Sequence, residues 1–154
     1  MKLVVRETSL EGVRTIEPAT HFQDFRGAYV ELYNEDLYRQ AGIDVKFIQD
    51  DISVSRRHVL RGIHGDAKTW KLISCLAGEF FLVAVNWDAR SPQYGRWQSF
   101  TLNDANRLQV LVPPNFGNGH LVLSETAIFH YKQSTYYDRA GQFTIMWNDP
   151  KLNI

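Results

Sequence analysis

Histidines, a single cysteine and adjacent acidic residues are the groups in this chain whose types could do chemistry, so their spacing is the first question. His21, His58, His64, His120 and His130 are scattered, with no His-x-His pair and no helical His-x-x-x-His, which argues against a metal centre. No Gly-x-Ser-x-Gly elbow exists, and Cys75 lies inside an apolar run where a buried thiol is expected rather than a nucleophile. Asp50 and Asp51 are neighbours, and neighbours on a strand point to opposite faces, so solvated or turn roles are expected for them rather than paired acid/base work on a glycoside. His64, Lys71 and Tyr131 remain. These types suit proton transfer at a carbon beside a carbonyl, which takes a base for the C–H proton, a cation or donor for the enolate oxygen, and an acid on the other face of the ring. The middle role is demanded by magnitude. A ketone α-proton is on the order of ten pKa units weaker than imidazolium, about 14 kcal/mol, and a base without an oxyanion partner would be too slow.

The elements that must position these groups read as strands. Short β-prone runs follow one another between turn residues: Tyr29–Tyr33, Phe47–Ser55, His58–His64, Lys71–Leu76, Phe80–Trp87, Trp97–Leu102, Leu108–Val112, His120–Leu123, Ala127–Lys132 and Phe143–Trp147. One short helix is predicted over Glu35–Ala41, with Asn34 as N-cap and Gly42 closing it. This order excludes a parallel βαβ architecture and predicts a sandwich or barrel. Strand parity puts Tyr131 on the face of Ala127 and Phe129, and Lys71 on the face of Ile73 and Cys75, so both point toward an apolar interior. Parity separates Arg61 from His64 unless Gly62 marks a bulge that re-aims them.

Composition narrows the classes of function. A chain of 154 residues, 44% hydrophobic and 13% aromatic, fits one domain spanning 1–154. Seventeen basic and seventeen acidic residues cancel, which gives no global field for nucleic acid or an anionic membrane surface. The residues from Met1 to Arg14 hold no continuous apolar segment, and the longest apolar run, Phe80–Val85, is too short to span a bilayer. With a lone cysteine, these features predict a cytoplasmic protein without membrane attachment.

The motifs resemble one family over nearly the whole chain. Phe22-Gln23-Asp24-Phe25-Arg26-Gly27 with Tyr29 and Glu31, Gln49 with Ser53 and Ser55, and Val59-Leu60-Arg61-Gly62-Ile63-His64 stand in the order and spacing of the dTDP-4-dehydrorhamnose 3,5-epimerase family. Lys71-Leu72, Pro113-Pro114, Leu123-Ser124-Glu125, Tyr131-Lys132 with Tyr136-Tyr137, and Trp147-Asn148-Asp149-Pro150 continue the resemblance. It implies an all-β, cupin-type jelly-roll β-barrel that works as a homodimer, without cofactor or metal, on a nucleotide-diphosphate-linked 4-keto-6-deoxy sugar in bacterial surface-polysaccharide biosynthesis. The implied activity is epimerisation at C3, or at C3 and C5; a ketoisomerase and a non-catalytic sugar-nucleotide-binding cupin are the alternatives.

Residue by residue, the resemblance makes His64 the base, Tyr131 the acid, and Lys71 with Arg61 the enolate-side and substrate contacts. Arg26, Glu31 and Gln49 would hold nucleotide or diphosphate, Arg26 in the neighbouring subunit's site, while Asn118, His120 and Tyr137 complete the substrate contacts. The chain departs from the family at Gly65-Asp66, at Leu82 in place of an inward aspartate, and at Asn118 and His120, which replace a histidine and a phenylalanine. Together with Lys68-Thr69, these departures are similar to a branch acting on GDP-linked 6-deoxy-4-keto-heptoses. In the family the catalytic histidine pairs with an aspartate beyond the Trp-Asn-Asp-Pro motif, and the sequence ends at Ile154 without that segment. Either another acid pairs with His64, Asp66 being the candidate nearest in sequence, or the sequence stops short of the usual one, or activity is weak.

Overall fold

The computed structural model describes residues 2–154, so Met1 lies outside the described residues. Alternation of apolar and polar residues gives thirteen short strands: β1 (Val4–Glu7), β2 (Arg14–Glu17), β3 (Thr20–Asp24), β4 (Gly27–Glu31), β5 (Gln49–Arg56), β6 (Leu60–Gly65) and β7 (Lys71–Ala77), then β8 (Glu79–Asn86), β9 (Trp97–Asn103), β10 (Gln109–Val112), β11 (Phe116–Val122), β12 (Thr126–Gln133) and β13 (Phe143–Thr144). Helix α1 (Glu35–Gln40) starts at Asn34, whose side chain accepts from the Leu37 amide as an N-cap should. The first three strands were not legible in the sequence. His58, expected to open a strand, instead sits in a turn with a φ of 70°.

Two antiparallel sheets face one another, one in the order β1-β2-β10-β7-β12-β5 and the other β13-β6-β11-β8-β9. The expected jelly-roll β-barrel takes the form of a jelly-roll-like sandwich that is not closed, because among the described residues no edge strand of one sheet pairs with the other. Large side chains fill that gap instead. Phe80, Leu82, Phe100, Leu102 and Phe116 from one sheet meet Ile73, Cys75, Val110, Val112 and Phe129 from the other. The apolar run Phe80–Val85 is continuous because its other face is also covered: Val83 and Val85 pack with Ile145 and Leu152 of the C-terminal residues. On the outside of the six-stranded sheet, Leu3, Ile16, Leu72 and Leu111 pack with Tyr38 of α1 and with Ile43. Strands β3 and β4 form a separate hairpin outside both sheets.

One local feature decides what the cleft contains. Between β6 and β11 the register runs Asn118↔His64 and then His120↔Arg61, so three steps on β6 match two on β11. That extra residue is a bulge, and it reverses strand parity. Arg61 and His64, which plain alternation would put on opposite faces, both turn inward with Asn118 and His120. Gly62 permits it, since its φ is +113° and a Cβ there would lie 2.6 Å from the Gly119 Cα and 2.8 Å from the Asn118 oxygen. Gly62→Ala should accordingly lose roughly 2 to 4 kcal/mol of stability in urea unfolding, through positive-φ strain and backbone overlap. An alanine variant as stable as the parent would remove the bulge from this account.

Candidate active site

At one end of the sandwich the inner faces diverge into an open cleft of about 740 Å³. His64, Arg61, Asn118 and His120 reach it from β6 and β11. Gln49, Asp51, Lys71 and Tyr131 reach it from β5, β7 and β12, and Tyr137 and Arg139 line it from the chain after β12. Seven of the residues singled out above besides Lys71 therefore share one cavity with it: His64, Tyr131, Gln49, Arg61, Asn118, His120 and Tyr137. Arg26 and Glu31 do not line it. Arg26 lies at the turn of the β3–β4 hairpin, ion-paired to Asp24 at 2.7 Å, and Glu31 ends β4. Both are therefore outside the cleft of their own chain, because the hairpin that carries them leaves the sandwich.

His64 is held by Thr144 rather than by a carboxylate. Its Nδ1 lies 3.2 Å from the Thr144 hydroxyl, on the strand β13 that pairs with β6. Asp66, the acid nearest to His64 in sequence, turns away and accepts from the Lys68 and Thr69 amides, the Thr69 hydroxyl and Gln142 Nε2 at 2.7–2.9 Å. Burial works to raise the Asp66 carboxyl, yet these donors hold it below the ordinary aspartate range. Its role is to tie the end of β6 to the segment carrying Gln142.

Lys71 stands at the inner end of β7, where burial pulls its ammonium below the usual lysine value and the charge of Asp66 partly opposes this. Its Nζ lies 5.7 Å from the centre of the Tyr131 ring. Among the described residues it has no ion-pair partner, so negative charge developing on a substrate oxygen would be its natural counter-ion. Arg61 is fixed by donating Nε–H to Ser55 Oγ at 2.8 Å. Tyr131 packs against the core through Phe129, and its phenol is raised by burial first and by the Asp51 charge second. Among the described residues, no group of three or more His, Cys, Asp and Glu stands close enough to hold a metal ion.

Asp51, Thr144, Gln133, Arg139 and Gln142 also belong to this site and were not legible as such. Asp50 and Asp51 do face opposite ways, but neither has a turn role. Asp50 pairs with His130 at 3.1 Å and Lys132 at 2.8 Å on the outer side of the sheet, whereas Asp51 enters the cleft. No sequence signal could have found Thr144, since the pairing of β13 with β6 brings together residues 80 positions apart.

His120 offers a measurable consequence. It is 4% exposed, stacked on Phe129 at 4.1 Å between ring centres, and pushed down to about 4 by burial and then by the Arg61 charge. An unfolded chain holds an ordinary histidine near 6.5. Between those two values the unfolded state binds the extra proton, so this residue's contribution is full above the upper value and lost as pH falls to the lower. The loss should approach about 3 kcal/mol. In urea unfolding, His120→Phe should flatten the fall in stability from pH 6.5 to 4; an equal slope in parent and variant would show that His120 is not held neutral.

The family model described as dTDP-4-dehydrorhamnose 3,5-epimerase matches residues 7–154. The dTDP-4-dehydrorhamnose 3,5-epimerase of Salmonella typhimurium is 37% identical over 99% of this chain and 85% of its own length. Among solved structures, the dTDP-6-deoxy-D-glucose-3,5-epimerase of Legionella pneumophila in complex with dTDP-4-keto-L-rhamnose superposes with a TM-score of 0.93 at 37% identity, covering 99% of this chain and 82% of that one. A 3'-monoepimerase from Streptomyces bikiniensis in complex with dTDP-quinovose does so at 0.90 and 30% identity, over 96% of this chain and 76% of that one. With a cleft built from two sheets around His64, Lys71 and Tyr131, and a family model matching nearly its full length, this chain belongs to the dTDP-4-dehydrorhamnose 3,5-epimerase family.

Proposed function

We propose that this chain inverts C3, and in the wider reading C5 as well, of a nucleotide-linked 4-keto-6-deoxy sugar by removing and returning a proton beside the C4 ketone. One observation carries the reading: His64 and Tyr131 enter the same cleft from opposite sheets. A sugar ring lying between the sheets would present one face to the imidazole and the other to the phenol. His64 takes the proton, the negative charge moves to the ketone oxygen beside the desolvated Lys71 ammonium, and Tyr131 returns a proton from the other side. The carbon inverts, and no net electrons or protons are exchanged with the sugar. Thr144 is the partner within reach of His64 Nδ1 and would fix the ring's orientation. Arg61 and Arg139 supply the cations for a diphosphate, and Tyr137 an exposed ring for a base. The product class suits surface-polysaccharide biosynthesis.

The relatives reported above carry thymidine-linked names, whereas the pattern at Gly65, Asp66, Lys68, Thr69 and Asn118 resembles the GDP-heptose branch; a panel of dTDP-, GDP-, CDP- and UDP-linked 4-keto sugars decides between them. We also propose a homodimer. The edge strand β5 exposes Ile52 and Val54, the hairpin β3–β4 exposes Phe22, Phe25 and Tyr29, and apolar surface of this extent on an edge strand and a projecting arm favours a second copy. Such a dimer would give the hairpin's Arg26 and Glu31 a neighbouring cleft to serve.

In deuterated water with the correct substrate, the parent should incorporate deuterium and epimerise, and His64→Asn should do neither. Tyr131→Phe should still exchange the α-proton through His64 while inversion drops by about 100-fold or more. Absence of exchange by the parent across the whole nucleotide panel would favour a sugar-nucleotide-binding protein, and NMR of a product with a displaced carbonyl would favour a ketoisomerase. Light scattering at micromolar concentration should give twice the chain mass, and a monomer there would refute the dimer.

A further inference from the structure

A cleft proposed to bind a diphosphate holds one carboxylate among its described lining residues, and no step above uses it. Asp51 on β5 stands directly across from Tyr131 on β12, so strand geometry turns both side chains into the cavity. Its Oδ2 accepts from Gln49 Nε2 at 2.8 Å and from Gln133 Nε2 at 2.7 Å, and Gln133 lies two residues beyond Tyr131 on the same strand face. Two neutral donors on one oxygen fix the group in place without cancelling its charge. The remaining oxygen accepts no hydrogen bond among the described residues, and Tyr131 is the cross-strand neighbour of this carboxylate in the same cavity. A fixed negative charge in a site for an anionic ligand weakens binding, so its presence calls for a compensating role.

We propose that Asp51 is the positioning residue of Tyr131, aiming the phenol across the cleft toward the sugar ring and keeping it protonated until the enolate forms. The proposal rests on the reading of Tyr131 as proton donor. A donor must begin protonated and aimed, and an anionic acceptor held by two glutamines provides both conditions. The other charged or titratable groups lining the cavity around the phenol are Lys71 on β7, His64 and Arg61 on β6, His120 on β11, and Tyr137 with Arg139 after β12. Of the charges facing the phenol, Asp51 contributes most to keeping it neutral, and Tyr137 acts in the same direction. When Tyr131 gives its proton to carbon, its oxygen keeps the electron pair and takes over the charge that the enolate loses; the Lys71 ammonium beside the ring then offsets the two neighbouring anions.

The direct test needs no substrate. The Tyr131 Cζ resonance of protein labelled with 13C-tyrosine is assigned by its absence in Tyr131→Phe and followed against pH. Asp51→Asn should lower its titration midpoint by on the order of one pH unit. Asp51→Ser, a second uncharged replacement, should do the same if the asparagine variant misfolds, and Asp51→Glu should return the midpoint toward that of the parent. An unchanged midpoint in both uncharged variants, or a glutamate variant that titrates like them, overturns the proposal. With a substrate that turns over, Asp51→Asn should retain α-proton exchange, lose inversion by at least about tenfold, hold KM, and shift the alkaline limb of kcat to lower pH. Equal loss of exchange and inversion with an unshifted limb would assign Asp51 to binding or structure instead. If no sugar nucleotide turns over, the epimerase reading fails while the titration still decides what Asp51 does to Tyr131.

Discussion

The close approach of β6 to β11 at Gly62 and Gly119 is the constraint on which the active-site geometry depends. Two strands can come this near only where neither carries a side chain at the contact, and the bulge adds the one residue that reverses parity on β6. Without it, strand alternation would leave Arg61 and His64 on opposite sides of the five-stranded sheet. With it, both face the six-stranded sheet, where Lys71 and Tyr131 stand. The same strand is secured from its other side by β13, whose Thr144 meets His64 and whose neighbour Ile145 exchanges two backbone hydrogen bonds with Ile63. Placement of His64, the proposed base, is thus a property of three strands at once.

Electrostatics in the cleft follow from depth. Near the core, Lys71 is depleted of water and His120 is kept neutral, and among the described residues the ammonium has no ion-pair partner. Toward the mouth, Arg61 and Arg139 remain exposed, able to meet a diphosphate without the cost of burying an unpaired charge. A ligand bound as proposed would have its reacting carbon in the drier part of the cleft and its diphosphate in the wetter one. A donor fixed in advance, as Arg61 is by Ser55, need not reorganise when charge moves.

The outer side of the six-stranded sheet is built on a different principle. There Tyr38 of α1 donates its hydroxyl to Leu32 O, Gln109 Nε2 donates to Leu32 O and Ser74 Oγ, and Asp50 collects His130 and Lys132. These polar groups bond to one another locally and tie together the strands that carry the cleft residues on their opposite face. One sheet therefore separates a structural network from a chemical one, residue by alternate residue.

Periodicity and residue type in the sequence determined the β-rich class, the short helix with its Asn34 cap, and the inward direction of Tyr131 and Lys71, because these depend on local backbone geometry with a period of two. The motif from Arg61 to His64, read with Lys71 and Tyr131, determined the family. Tertiary structure alone decided the rest. Whether Gly62 bulges depends on Gly119, far along the chain; whether Asp66 or Thr144 meets His64 depends on which strand lies beside β6; and whether Asp51 faces solvent or substrate depends on its pairing with β12. Whether the sheets close into a barrel depends on edges that only the complete set of pairings defines. Each of these is a contact between distant segments, and alternation along a single strand carries no information about which strand will be its neighbour.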